Sequence, residues 1–173
     1  TDRKPQDSMA QINQKLKDIV TDMDIEDVTQ LTTDKRGTAI EMDGEISFAG
    51  GRADLKPQLI SILDNLVPEL MSNPDDLRPI LVEGHSDNMQ LTGKLQEKWG
   101  SNWELSAARA ASVVRHLISR GVKPGKLIAS GYAERWPADA TIEGIRKGKL
   151  YDSETSTYLD IDTFILKSNN SDV

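Results

Sequence analysis

SNWELSAARAASVVRHLISRG, residues 101–121, marks both of its own ends as a helix. Ser101 and Glu104 have capping-box spacing, in which each side chain satisfies a backbone donor near the other residue, and Gly121 supplies the stop. Leu105, Ala108, Ala111 or Ser112, Val113 or Val114, and Leu117 or Ile118 recur at helical spacing and form the face expected to pack, with Arg115 and Arg120 turned to solvent. RPILVEG (78–84) before it has the length and apolar content of a buried strand, and after Pro124 the segment KLIASGYAE (126–134) reads as another. Strand, helix, strand implies a sheet with helices on one face. The expected fold is α+β, a two-layer sandwich of a mixed β-sheet under helices.

Working outward, Met9, Ile12, Leu16, Ile19 and Val20 place one apolar stripe along a helix over 7–23, which has either the domain or a partner to pack on. In LTTDKRGTAIEM (31–42) the turn Asp-Lys-Arg-Gly joins two short strands, 27–33 and 37–42. Ile46-Ser47-Phe48 reads as strand, interrupted by Gly50-Gly51, before Pro57 opens a helix striped by Leu59, Ile62, Leu63, Leu66, Val67 and Leu70. Residues 85–100 read as a long loop, longer than a connection requires, and such loops are often functional. The span 135–157 yields no assignment, and YLDIDTFILK (158–167) alternates as a last strand. The expected organisation is a helix and linker at 1–25, one domain at 26–167 and a disordered tail at 168–173.

Composition narrows the function. A chain of 173 residues with 37% hydrophobic and 28% charged residues has room for one ordinary core. Its net charge of −7 opposes binding to nucleic acid, which needs clustered Lys and Arg against phosphate. With no cysteine, disulfides and thiolate zinc sites are excluded. No apolar run approaches the roughly 20 residues of a membrane helix. The chain starts at Thr1 rather than Met, which suggests a mature product or a fragment from which an upstream segment was removed, so the absence of a membrane helix applies to this fragment only.

The polar turn GHSDNMQL (84–91) directly follows the apolar run Ile80-Leu81-Val82. His85 and Asp87 have a metal-like spacing, but zinc wants three or four protein ligands and the only other histidine is His116, on the long helix. No P-loop, dinucleotide fingerprint or nucleophile elbow is present, so no cofactor and no catalytic residue is expected. A hydrolase using Glu83, His85 and Asp87 is the enzyme-class rival. A binding site follows from joining Asp87 to Arg109, two turns into the helix. A guanidinium fork near a positive helix end suits a carboxylate, and Asp87 beside it suits an ammonium. On spacing alone, a plain Asp87–Arg109 salt bridge tying loop to helix reads equally well.

GHSDN at 84–88, SNWELSAARAASVVRHL at 101–117, LIASGYAERWP at 127–137 and FAGGRADLKP at 48–57 together resemble the OmpA-like peptidoglycan-binding domain, over about residues 26–137. The wording Trp103-Glu104-Leu105-Ser106 is most similar to the flagellar-motor stator branch of that family, and type VI secretion anchors share similar wording. The resemblance implies a periplasmic, non-catalytic domain that grips the meso-diaminopimelate of the peptidoglycan peptide stem. By position, Asp87 and Arg109 match the family's ligand-holding pair, Asn102, Leu105 and Ser106 the helix start that shapes the pocket, and His85 and Ser86 the turn before the aspartate. It further implies attachment to the inner membrane, a homodimer and an ion-channel partner subunit. The family's Asn-Arg-Arg motif before the last strand is replaced here by TSTYLDIDTFI (155–165), without an arginine.

Overall fold

The computed structural model describes residues 3–34, 37–86, 90–133, 149–152 and 157–160. Helix α1 (Met9–Asp22) leads into the hairpin β1 (Thr29–Asp34) and β2 (Gly37–Met42), then a single turn α2 (Gly44–Ser47) and helix α3 (Pro57–Leu70). Strand β3 (Ile80–Gly84), helices α4 (Gly93–Trp99) and α5 (Asn102–Ser119) and strand β4 (Leu127–Gly131) follow, then β5 (Lys149–Asp152) and β6 (Thr157–Asp160). Both pairing senses occur, as a mixed arrangement requires. β1–β2 and β5–β6 are antiparallel and β3–β4 parallel, so among the described residues hydrogen bonding joins the strands in three pairs.

The apolar stripe of α3 is wide enough to serve two neighbours. Leu59, Leu63 and Val67, four residues apart, bury against Leu117 of α5 and Val122, with Ile80, Val82 and Leu127 of the parallel pair packed beside them. Ile62 and Leu66, on the adjoining face, bury against Leu16 of α1, with Leu31 and Ile40 of the hairpin packed around them. The stripe on α1 therefore packs on its own chain. Fully burying an aliphatic side chain is worth about 1.5–3 kcal/mol, so these two clusters are the main hold on the layers. Before α1 the chain is tied to the loop after α3 by Lys4 N to Asp75 Oδ2 (3.0 Å) and Asn73 Nδ2 to the Pro5 carbonyl (3.1 Å).

Helix α5 lies on the parallel pair through a slot made by two glycines. Gly84 and Gly131 are partners in the β3–β4 register. A β-carbon at Gly84 would fall inside the contact radius of the Ser106 carbonyl oxygen, and one at Gly131 would lie 2.5 Å from Ala107 N. Hydrogen at these two positions lets the backbone of α5 reach the strand ends.

Several expectations need correction. Ile46 and Ser47 close the turn α2, and only Phe48 is extended, bridging Leu55. The span 85–100 holds α4, whose hold is tertiary: Trp99 Nε1 donates to the Gly51 carbonyl at 2.9 Å. At α5, Ser101 Oγ accepts from Trp103 N at 3.2 Å and the Ser101 hydroxyl donates to the Glu104 carboxylate. The capping expected of Ser101 and Glu104 is therefore present, with Ser101 Oγ on the amide of Trp103 rather than of Glu104 and the Glu104 carboxylate also accepting from the Ser101 backbone, and a further reciprocal capping box at Ser8 and Gln11 opens α1. On α5, Ala110 (1% exposed) is in the packed face while Ile118 is 39% exposed. Arg120, half-exposed, pairs with Asp64 rather than projecting unpaired. β5 sits in the stretch that had no assignment, and residues 161–167 of the expected last strand lie outside the described residues.

Candidate functional site

The candidate site residues among the described residues lie where β3 and β4 end against the first two turns of α5. Beyond the strands the pairing continues: Tyr132 N donates to the Gly84 carbonyl (3.0 Å) and Ser86 N to the Ala133 carbonyl (3.1 Å). Ala133 is fully buried with φ 53°, the left-handed region that costs a non-glycine residue about 1–2 kcal/mol. Two hydrogen bonds hold it there, since Ala133 N also donates to Ser106 Oγ at 3.0 Å. Ser106, 0% exposed, donates in turn to the Trp103 carbonyl at 3.1 Å. It thus ties α5 to the exit turn of β4, and Asn102 and Leu105 on the same helix start are likewise buried.

His85, 14% exposed, stacks on Tyr132 with ring centroids 5.1 Å apart and planes within 9°, and its Nε2 lies 3.5 Å from Glu83 Oε2. Ser86 Oγ is buried with no hydrogen-bond partner among the described residues. Asp87, the next residue, lies outside the described residues, so neither the clamp nor the salt bridge to Arg109 is described. The other histidine serves the scaffold. His116 Nε2 donates to Asp64 Oδ1 at 2.7 Å, and Arg120 reaches the same carboxylate at 2.9 and 3.0 Å, joining α5 to α3. The His116 hydrogen bond, then those of Arg120, hold the Asp64 carboxyl below its usual range.

Arg109 is held by a segment that precedes it by more than fifty residues. Its Nε donates to the Arg52 carbonyl (2.9 Å), its Nη2 to the Ala49 carbonyl (3.2 Å), and the guanidinium carbon lies 5.0 Å from the centroid of Phe48. Two carbonyls and an aromatic face fix the plane of a group that would otherwise sweep several rotamers. A guanidinium oriented in this way has the geometry to meet a carboxylate with two parallel hydrogen bonds. The segment is itself fixed by α4. Gly51 (φ 66°) accepts from Trp99, and a β-carbon there would lie 2.6 Å from Leu95 Cδ2. The sequence reading identified Arg109 but not Phe48, Ala49, Arg52 and Trp99 as its supports. The Gly50-Gly51 pair was the available signal, since glycines mark a backbone that another group approaches closely.

Among the described residues no group of three or more His, Asp or Glu could hold a metal ion, and no helix is long and apolar enough to cross a membrane.

Known proteins place this geometry. Motility protein B of Bacillus subtilis is 26% identical over 147 residues, covering 83% of this chain and 54% of that protein. The chain spans about half the length of the curated relatives it matches. A MotB-like protein from Desulfovibrio vulgaris superposes with a TM-score of 0.67 at 25% identity, over 75% of this chain and 80% of that one. The cell wall anchor of the type VI secretion system of Pseudomonas aeruginosa shares the fold, with a TM-score of 0.60 at 24% identity over 71% and 82%. Residues 47–149, which include the glycine slot, Arg109 and the segment that orients it, match the OmpA family model, and the chain belongs to the OmpA family.

Proposed function

We propose that this chain is a non-catalytic peptidoglycan-binding domain in which Arg109 takes the side-chain carboxylate, and Asp87 the ammonium, of the diaminopimelate in the peptide stem. The observation that carries the reading is the orientation of Arg109 by the Arg52 and Ala49 carbonyls and the Phe48 ring, beside the turn that leads into Asp87. A salt bridge serving only to tie loop to helix has no need of a guanidinium plane set by a third segment. His85, Ser86, Asn102, Leu105 and Ser106 shape the wall of the site.

The domain of this proposal is 26–167, with 1–25 as the segment leading to it and 168–173 as a tail. The relatives named motility protein B and MotB-like favour a subunit of a flagellar ion-driven stator, periplasmic, attached to the inner membrane, homodimeric and joined to an ion-channel partner. The likeness to a cell wall anchor supports the alternative of a secretion-system anchor using the same site, and the upstream sequence of the full-length protein separates the two.

The test is a titration with two soluble muropeptides that differ only in carrying diaminopimelate or lysine at the third stem position. Lysine keeps the ammonium and lacks the carboxylate that Arg109 would pair. The expected result is at least tenfold weaker binding of the lysine form, a difference of about 1.4 kcal/mol, and loss of the distinction in Arg109→Ala. Equal affinities for the two forms in the parent chain would overturn the assignment.

A further inference from the structure

We propose that the groove between α4 and the outer flank of α5 is a second subsite, which takes one sugar ring of the wall glycan while the Asp87–Arg109 site takes the peptide; it rests on that reading for the identity of the polymer. The groove, about 280 Å³, is lined by Trp99, Lys98, Asp54, Ala108, Ser112 and Arg115. That volume is just below the roughly 300–1,000 Å³ of pockets for small-molecule ligands, and it suits one ring rather than an extended segment.

The walls have the chemistry of a sugar site. Trp99 is a fixed platform, because its Nε1 is spent on the Gly51 carbonyl and Leu95, one turn earlier on α4, lies against the same glycine. Trp99 is partly exposed and lines the groove, with the ammonium of exposed Lys98 4.9 Å over its ring centroid, a long side chain that a sugar ring would have to displace. Ala108 and Ser112, one turn apart on α5, are small and leave the space open. Around the aromatic wall stand Arg115, which donates to Ser112 Oγ at 3.0 Å, and Asp54, paired with Arg52 at 2.7 Å. A pyranose presents an apolar C–H face to an aromatic ring and a rim of hydroxyl and acetamido groups to donors and acceptors together.

The groove adjoins the clamp. Ala53 and Asp54 continue from Arg52, whose carbonyl holds Arg109, and Ala108 precedes Arg109 on α5. One ligand with sugar and peptide covalently joined therefore reaches two neighbouring subsites, and linked sites raise affinity without new contacts, by up to about 10²–10⁴.

The experiment titrates the whole chain with two separate probes, a tetramer of N-acetylglucosamine carrying no peptide and a diaminopimelate stem peptide carrying no sugar, following tryptophan emission and heat. The sugar tetramer is expected to bind the parent chain and to bind Arg115→Ala and Trp99→Ala at least tenfold more weakly. Arg115→Ala is expected to leave the stem-peptide affinity within twofold. No sugar binding by the parent, or binding untouched by both Arg115→Ala and Trp99→Ala, overturns the subsite. Sugar binding without stem-peptide binding supports the groove and overturns the clamp instead.

Discussion

Gly84→Ala tests the slot on which α5 sits. The added methyl falls inside the contact radius of the Ser106 carbonyl oxygen and 3.4 Å from Ala110 N. Both are backbone atoms of one helix, so no change of rotamer relieves the clash and α5 must withdraw from the strands. Withdrawal loosens Leu105, Ala110 and Leu117, all buried, and pulls Ser106 Oγ from the Ala133 amide. Overpacking relieved by side-chain shifts costs about 1–3 kcal/mol; with backbone on both sides we expect about 4 kcal/mol. In urea unfolding followed by circular dichroism, with a slope of about 2–3 kcal/mol per molar, the midpoint falls by about 1.3–2 M. Gly125→Ala is the control, since a β-carbon there meets nothing within 4 Å. It is expected to raise stability by about 0.4–1 kcal/mol through the unfolded chain. A midpoint shift in Gly84→Ala below about 0.5 M would refute the slot.

Ser106→Ala strands the buried Ala133 amide without its acceptor, and a loss of about 1–3 kcal/mol is expected in the same unfolding assay. Arg109→Ala removes two hydrogen bonds and a cation–π contact at a partly exposed site, so the chain stays folded with stability lower by about 1–2 kcal/mol; Arg109→Lys keeps the charge but not the fork, and should bind sacculi more weakly than the parent chain. Asp64 has a carboxyl pKa depressed in the folded state, so its stabilising contribution is complete above the unfolded value near 4 and is lost as pH falls through the lower folded value. The stability gap between parent and Asp64→Asn should therefore be largest at neutral pH and shrink below about pH 4; a gap constant from pH 7 to pH 2 would contradict the Asp64–His116–Arg120 linkage.

What the sequence made legible is what local periodicity encodes. The stripes on α1, α3 and α5, the hairpin and the two strands flanking α5 all follow from apolar spacing and turn residues. α4 was hidden because it is seven residues long, Thr92 gives it no side-chain cap, and its hold is Trp99 on a glycine 48 residues earlier. The capping expected at Ser101 and Glu104 is present one residue short of the usual register, with Ser101 Oγ accepting from Trp103 N, and the bond from the Ser101 hydroxyl, together with that from the Ser101 backbone amide, holds Glu104 below its usual pKa range. Gly84 and Gly131 were visible as motif letters, but their reason, a helix backbone reaching two paired strand ends, is not local. The same holds for Arg109, whose identity as a candidate came from spacing and family resemblance while the carbonyls that aim it are 57 and 60 residues away.

The clamp is tested most directly by co-sedimentation of the purified chain with peptidoglycan sacculi, beside Asp87→Ala and Arg109→Ala, with circular dichroism to establish that each variant is folded. The account predicts that the parent chain pellets with the sacculi and that both folded variants stay in the supernatant. A parent chain that remains in solution, or folded variants that pellet as it does, would contradict it.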